Sequence, residues 1–376
     1  MKHVVHVIGS LNVGGAERSV INYLEAADRE QFRHTVVCLA ARGDLASRVE
    51  ALDVPIQVIR VKMSRGPWDL MRLARWMRRQ DVAVVHSHLY YGSLWGRLAG
   101  IVAGVPVMVA TEHGKELWKN RFQIWLGRRL AHRTCRIITV AEDGKKLRVE
   151  REGIPASKMT VIANGVPLPD LSQHDRDRAE ARCELGLAED GPVIGTVGRT
   201  VEAKGYGTLL TAMEELSHRE SAPTWLLVGD GPERESLLTR AAERGLADRI
   251  VAPGKRQDIA RLLAAMDVFV MPSIREGLPV ALLEAMAAAR PCVVTDVGGM
   301  PEALAEGPCG VIVPSEDPGR LAQAIGGMLD EPARARSLGE AARRCAEQRF
   351  SNQTVARRIE GIYQDCLDRG EGGGPS

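Results

Sequence analysis

The chain has 376 residues, 45% of them apolar and 26% charged, with 50 Lys/Arg against 48 Asp/Glu and a formal net charge of +2. At about 150 residues per domain, this is material for two domains with buried cores. The balance excludes a disordered chain, a collagen-like repeat and a small disulfide-stapled fold. It also lacks the strongly basic surface of a dedicated nucleic-acid binder, so no nucleic-acid partner is expected.

Short β-branched runs alternate with longer helical patterns. Strands are expected at 4–8, 35–39, 57–61, 82–86, 107–111, 137–140 and 159–162, the last ending at the turn Asn164-Gly165. Helices between them include 17–26, 67–79 and 119–131. This βαβ alternation implies parallel sheet with helices on both faces. Pro167, Pro169 and the charged run 173–178 then mark a polar hinge or short helix, residues 167–190. The pattern restarts with strands at 193–197, 224–228, 250–252, 268–271, 292–295 and 310–313, and with clear helices at 280–289 and 318–331. The expectation is α/β throughout: two Rossmann-like, doubly wound parallel-sheet domains, 1–166 and 191–351, facing across a cleft. The polar tail 369–376 is expected to fray.

Seven cysteines, at 38, 135, 183, 292, 309, 345 and 366, are scattered, odd in number and without a CxxC pair. They predict reduced thiols and a cytoplasmic chain. Met1 leads straight into a strand-like run with two histidines, so no signal peptide is expected, and no run of 18 apolar residues would span a bilayer.

In open parallel sheets, ligands bind beyond the carboxyl ends of strands, and there the unusual residues cluster. Gly14-Gly15-Ala16-Glu17 follows a strand and opens a helix, where free amides favour an anion. Its spacing is neither a dinucleotide fingerprint nor a phosphate-binding P-loop. It is a ligand loop or a tight turn. Gly198-Arg199 with Lys204-Gly205 follows strand 193–197, and two cations there can clamp a diphosphate. Val228-Gly229-Asp230-Gly231 suits a ligand close to the backbone or a plain turn. Glu276-Gly277-Leu278-Pro279 places a carboxylate after strand 268–271, with Pro279 at the first helical position and Glu284 in the helix that follows. A carboxylate on a largely apolar helix needs a partner such as sugar hydroxyls or a cation. Asp296-Val297-Gly298-Gly299 is a further glycine loop, and Thr111-Glu112-His113-Gly114 puts a histidine at a strand end, in the cleft or in a core. His86-Ser87-His88 lacks a local third ligand, and Asp175-Arg176-Asp177 lies in the polar hinge, so neither is read as a metal site.

Residues 60–151 carry 19 Lys/Arg and 7 Asp/Glu, a local net of +12, leaving about −10 elsewhere. Lys115, Lys119, Arg121, Arg128, Arg129, Arg133 and Arg136 interleave with Leu117, Trp118, Phe122, Trp125 and Leu126. Arg72, Arg75, Arg78 and Arg79 accompany Trp68 and Trp76. Cationic helices with aromatic faces suit an anionic membrane surface, although tryptophans can equally be core.

In order and position these motifs resemble the retaining GT-B glycosyltransferases of family 4, a group that includes many bacterial cell-surface polysaccharide and glycolipid enzymes. The resemblance covers essentially the whole chain. It implies a hexosyltransferase that moves sugar from a nucleoside diphosphate sugar, UDP- or GDP-linked, to a glycan or lipid-linked acceptor. Transfer is implied to be metal-independent, to need no cofactor and to proceed by front-face attack. Gly15, with Gly14, resembles the loop that approaches the donor phosphate and sugar. Arg199 and Lys204 resemble the pair neutralising the diphosphate, Glu284 the ribose-binding glutamate, and Glu276 the glutamate facing the sugar. The amides of Gly277 and Leu278 would line sugar or phosphate, Gly229 would lie along the donor, and His113 resembles the histidine near the reacting carbon. A last helix, within 352–368, would cross back to the N-terminal domain. The helix end Ala288-Ala289-Arg290-Pro291 departs from the family, where glycine commonly precedes the proline. Two other readings are a nucleotide-sugar epimerase of the same fold and a non-catalytic nucleotide-sugar-binding module. The expected location is cytoplasmic, with peripheral contact on the inner membrane face.

Overall fold

The computed structural model describes residues 1–62, 65–114, 116–305 and 307–371. The chain divides into two units: residues 1–165 together with the segment from 352 onward, and residues 166–351. In the first unit, β1 (Lys2–Ile8), β2 (Phe32–Cys38), β3 (Ile56–Val58), β4 (Val82–His88), β5 (Val107–Glu112), β6 (Arg136–Thr139) and β7 (Met159–Val161) form one parallel sheet. Their order is β3-β2-β1-β4-β5-β6-β7. The helices are α1 (Gly15–Ala26), α2 (Ala46–Glu50), α3 (Gly66–Arg79), α4 (Leu89–Ala103), α5 (Arg121–His132) and α6 (Glu142–Glu150).

Alternation along each strand sends side chains to two cores. Val5, Val7, Val37 and Val85 pack with Leu73 and Met77 of α3 and with Trp95 and Ala99 of α4. Val4, Ile8, Val36, Val84 and Val109 face α1 through Val20, Ile21 and Leu24. Each such fully buried aliphatic side chain contributes about 1.5–3 kcal/mol by leaving water. Helix α4 lies close on the sheet: a methyl at Gly92 would stand 2.5 Å from the Val7 carbonyl oxygen.

The second unit has the parallel sheet β8 (Val193–Val197), β9 (Thr224–Val228), β10 (Ile250–Gly254), β11 (Val268–Met271), β12 (Cys292–Thr295) and β13 (Val311–Val313), in the order β10-β9-β8-β11-β12-β13. Its helices are α7 (His174–Leu185), α8 (Tyr206–Ser217), α9 (Arg234–Glu243), α10 (Ile259–Ala265), α11 (Val280–Ala287), α12 (Met300–Leu304), α13 (Pro318–Asp330) and α14 (Pro332–Arg349). Helix α7 occupies the stretch whose prolines and charges suggest a hinge. It is anchored by Arg182, buried, which bonds the carbonyls of Ala265 (3.1 Å) and Gly191 (2.9 Å) and pairs with Asp267 at 2.8 Å. Asp175 and Asp177 lie in its first turn.

The last helix, α15 (Asn352–Glu371), belongs to the first unit. Val355, Ala356, Ile359, Ile362, Tyr363 and Leu367 enter the core beside α1. Cys366 is joined by a disulfide to Cys135, their Cα atoms 6.2 Å apart although 231 residues separate them in sequence. This corrects the expectation of reduced thiols throughout; spacing along the chain carries no trace of a pairing made by an α15 that packs back onto the sheet. The tail is also corrected in part, since α15 continues as helix through Glu371 and residues 372–376 lie outside the described residues. Among the described residues, no helix is long and apolar enough to cross a membrane.

Candidate active site

In the second unit the strand order reverses between β8 and β11. Such a reversal opens a crevice at the carboxyl ends of the two strands. The loop after β8 carries Gly198, Arg199, Lys204 and Gly205; the loop after β11 carries Ser273, Glu276, Gly277 and Leu278. The two loops are tied together. The Ile274 amide donates to the Ala203 carbonyl at 2.8 Å. Gly205 has φ +67°, and a β-carbon there would stand 1.9 Å from the Pro272 carbonyl oxygen, so only glycine fits. Lys204 is ion-paired with Glu276, the two side chains 20% and 12% exposed. Ser273 Oγ donates to Glu276 Oε1 at 2.9 Å, and Thr295 Oγ1 at the end of β12 donates to the Ser273 carbonyl at 2.6 Å. Burial first, and Glu276 second, push the Tyr206 hydroxyl up to about 12. A partly buried pair of this kind interacts more strongly than it would in water.

Arg199 is exposed; its carbonyl accepts from the Val201 amide at 3.0 Å, while its guanidinium makes no hydrogen bond or ion pair among the described residues. Gly229, after β9, has φ +138°, and its missing side chain would stand 1.8 Å from the Gly198 carbonyl oxygen. The Gly299 amide donates to the Gly277 carbonyl at 2.6 Å, so the glycine loop after β12 supports the loop bearing Glu276. Leu278 is buried. Pro279 is the N-cap of α11 rather than its first helical residue, since its ψ of 125° is still extended. Glu284 lies in the second turn of that helix, half-buried beside the buried Leu282, Leu283 and Met286. The helix stops at Ala287, two residues short of its expected end. Ala289 takes φ +56°, with its amide bonded to the Met286 carbonyl and that of Arg290 to the Ala285 carbonyl, a left-handed C-terminal cap.

In the first unit the order reverses between β1 and β4. The loop after β1 ends at Gly14, the extended N-cap of α1, and Gly15 is the first helical residue. Gly14 has no side chain to cap this terminus; the Glu17 carboxylate folds back against Gly14 and accepts from its own amide, as an anion at a helix start would. Ser19 Oγ reaches both the Gly15 carbonyl and Asn164 Oδ1, each at 2.8 Å. Immediately after β4, Leu89 is held at φ +58°, a strained position for a branched side chain.

His113 follows β5, and burial pushes its imidazole down to about 4, against the opposing charge of Glu112. Its Nε2 meets His88 Nδ1 at 3.4 Å. The local search for a third ligand near His86 and His88 misses His6, which the β1–β4 register sets directly beside His86. Ligand atoms of His6, His86 and His88 lie within 4.8 Å of one another, all three buried. No run of sequence joins strands 80 residues apart, which is why spacing hides this cluster.

Lys119 is corrected as a membrane-facing residue. It is buried and paired with Glu116 (2.5 Å) and Glu152 (3.4 Å), while Arg148 bridges Glu112 (3.0 Å) and Glu152 (2.5 Å). Burial would raise Glu112, but Lys119, Arg148 and Arg97 outweigh it and hold it at about 2; burial and Glu112 push Glu116 up to about 7. Helix α5 starts at Arg121, two residues later than expected, because Asn120 and Gln123 form a reciprocal capping box. Lys115 lies outside the described residues. Of the aromatic residues named for these faces, Trp118, Phe122 and Trp125 are more than half exposed, as is Trp68 on α3, whereas Trp76 is partly buried and packs against the core. Phe122 stacks on Trp125, and Arg129 lies 5.6 Å over the Trp125 ring.

The model of the family Glycosyl transferases group 1 matches residues 191–331, and that of Glycosyltransferase Family 4 matches residues 13–169. The chain is 30% identical to EpsF of Bacillus subtilis over 78% of its own length and 79% of that protein's. It is 27% identical to the UDP-Gal:alpha-D-GlcNAc-diphosphoundecaprenol alpha-1,3-galactosyltransferase of Escherichia coli, covering 79% of this chain and 80% of that one. The crystal structure of Anabaena Alr3699/HepE in complex with UDP and glucose superposes with a TM-score of 0.85 at 22% identity, covering 97% of this chain and all of that one.

Proposed function

Since this chain belongs to the family 4 glycosyltransferases and has the GT-B fold, we propose that it moves a hexosyl group from a nucleoside diphosphate sugar to a hydroxyl of a glycan or lipid-linked acceptor, with retention at the anomeric carbon and without a metal. The observation that carries this reading is the strand reversal of the second unit, where Lys204, Glu276 and the unpartnered Arg199 gather. Breaking the anomeric C–O bond leaves negative charge on the diphosphate. Arg199 and Lys204 gain interaction as that charge grows, so they stabilise the transition state more than the ground state.

In this proposal Glu276 faces the donor sugar, and the amides of Gly277 and Leu278 line sugar or phosphate. Glu284 accepts hydrogen bonds from the ribose hydroxyls, Gly229 lets the donor pass close to the backbone, and the start of α1 at Gly14 and Gly15 binds phosphate in place of the Glu17 carboxylate. His113 serves the sugar near its reacting carbon. Front-face attack, with the departing phosphate oxygen taking the acceptor proton, needs no further nucleophile. The name of the E. coli relative and the contents of the Anabaena crystal both favour a uridine donor. That relative's lipid diphosphate acceptor also favours a lipid-linked acceptor here. The exposed Trp118, Phe122, Trp125, Arg121, Arg128 and Arg129 support peripheral docking on an anionic membrane.

The test is a donor screen by mass spectrometry with purified protein in excess chelator. Turnover of a UDP-sugar, with the anomeric configuration kept in the product, is expected. Turnover only with added Mg²⁺ or Mn²⁺ would refute the metal-free part. No consumption of any UDP- or GDP-sugar, with a membrane extract supplying acceptors, would refute the donor assignment.

A further inference from the structure

Four imidazoles run head to tail across one face of the first unit's sheet. His113 Nε2 meets His88 Nδ1 at 3.4 Å, His88 Nε2 meets His6 Nδ1 at 3.2 Å, and His6 Nε2 meets His34 Nδ1 at 3.2 Å. The two outer nitrogens, His113 Nδ1 and His34 Nε2, are buried without a hydrogen-bond partner. Tyr23 of α1 packs on His6 and His34, and the tilted rings of His86 and His88 meet with centroids 4.2 Å apart. His86 stands outside the chain, its nitrogens held by Tyr363 Oη at 2.5 Å and Thr111 Oγ1 at 2.7 Å.

A neutral imidazole has one N–H and one lone pair. Burial keeps all four rings neutral by lowering their pKa values. Each link needs one donor and one acceptor, so the four tautomers are not independent: every ring carries its proton on Nδ1, or every ring carries it on Nε2. The charges at the two ends choose between these states. The His34 end faces Arg29 and His3 more strongly than Asp28, which favours a lone pair there. The His113 end faces Glu112 and lies close to the Asn164 side chain, and both favour an N–H. Both select Nδ1–H throughout. We propose that His88, His6 and His34 are positioning residues for His113, acting as one tautomer chain that makes its Nδ1 a hydrogen-bond donor toward a sugar hydroxyl.

The same rings do not suit a metal ion. Both nitrogens of His6, His86 and His88 are already hydrogen-bonded, and the group contains no carboxylate to offset a buried dication.

This inference rests on the reading of His113 as a group that serves the donor sugar, but its first test needs no substrate. ¹⁵N-histidine NMR of the full-length protein reads the tautomer of each ring directly. Nδ1–H at His34, His6, His88 and His113 is expected; a different tautomer at any one of them overturns the chain. His34→Leu removes the far link, and His113 should then show mixed tautomers. His34→Asn restores a donor amide close to the lost Nδ1 and should restore the single tautomer. Turnover should fall about tenfold in His34→Leu, the worth of one hydrogen bond, and return to within about twofold in His34→Asn. An unchanged His113 tautomer in folded His34→Leu refutes the coupling. If His34→Leu does not fold, the wild-type tautomers and the Asn variant decide.

Discussion

The Lys204 ammonium is ion-paired with the Glu276 carboxylate, and the two residues come from the loops on either side of the strand reversal in the second unit. In the proposed reaction a donor diphosphate would compete with Glu276 for Lys204, and charge growing on the leaving group would draw Lys204 toward it and free Glu276 for the sugar. Lys204→Ala should lower kcat by roughly 10²–10³-fold, the usual cost of one preorganised charge-stabilising donor, with a smaller change in donor KM. Steady-state kinetics at saturating acceptor measure both. A rise in donor KM alone would assign Lys204 to ground-state binding.

Glu284→Ala should weaken donor binding by roughly 10–150-fold, from losing hydrogen bonds to a carboxylate worth about 1.5–3 kcal/mol. Titration calorimetry with the nucleoside diphosphate alone isolates this effect from the sugar. Wild-type affinity in the variant would place the ribose elsewhere.

Stability should fall steeply on mild acidification. His6, His34, His86, His88 and His113 all sit below the ordinary histidine value of 6.5, burial being the main cause. The unfolded chain therefore binds more protons than the folded one below pH 6.5, and the stability of the fold decreases as pH falls. For His34 and His113, each at about 4, the slope approaches roughly 1.4 kcal/mol per pH unit per residue between 6.5 and 4. Glu116, raised to about 7, works in the opposite direction between 4.5 and 7, as do Glu17 and Glu360, raised by burial, but these are three groups against five. Urea midpoints at about pH 7.5, 6 and 5 should drop in that order. A flat series would show that these rings are not buried neutral.

Ala289→Gly should stabilise the protein by about 1 kcal/mol, because alanine pays a steric cost at φ +56° that glycine does not. The hydrogen bonds of the helix end are backbone bonds and survive the change. Denaturant unfolding gives the value. A destabilised variant would mean that the alanine methyl packs more favourably than its backbone strain costs.

Binding to vesicles with anionic headgroups should be reversible and weaken with salt, since screening acts beyond about 8 Å at physiological ionic strength. At about 1 kcal/mol per basic residue near the surface, replacing Arg121, Arg128 and Arg129 together should reduce binding by roughly 10²-fold. Phe122→Ala with Trp125→Ala should remove whatever binding high salt leaves. Co-sedimentation with neutral and anionic vesicles measures both, and equal retention on the two lipids would defeat electrostatic docking.

In the second unit the inner strands β8, β9, β11 and β12 match their β-branched runs end for end, because burial dictates an unbroken apolar segment, whereas β1, β4 and β5 of the first unit extend one or two residues beyond theirs into polar residues. The edge strand β3 does not match its run. Pairing stops at Val58, and Ile59 and Val61 bond the adjacent carbonyls of Cys38 and Leu39 outside regular strand. The start of α5 was written in Asn120 and Gln123, a capping box that apolar periodicity passes over. In the site, the residue types at strand ends could be read one loop at a time. What each side chain touches could not. Lys204 and Glu276 are 72 residues apart, and the links between His34, His6, His88 and His113 span 28, 82 and 25 residues. Such pairings are created by strand order and register, which no local window contains.

Helix α15 carries a consequence for synthesis. The second unit, residues 166–351, leaves the ribosome with every one of its strands before α15 has been made, whereas the first unit began earlier and still lacks a wall. Until Val355, Ile359, Tyr363 and Leu367 arrive, the apolar surface formed by Val4, Ile8, Phe32 and Val36 is uncovered on that side. The order of completion is thus the reverse of the order of synthesis: the inserted unit can close first, and the amino-terminal one finishes last. A nascent chain arrested before residue 352 should accordingly resist protease across residues 191–349 while remaining cleavable in its first 165 residues.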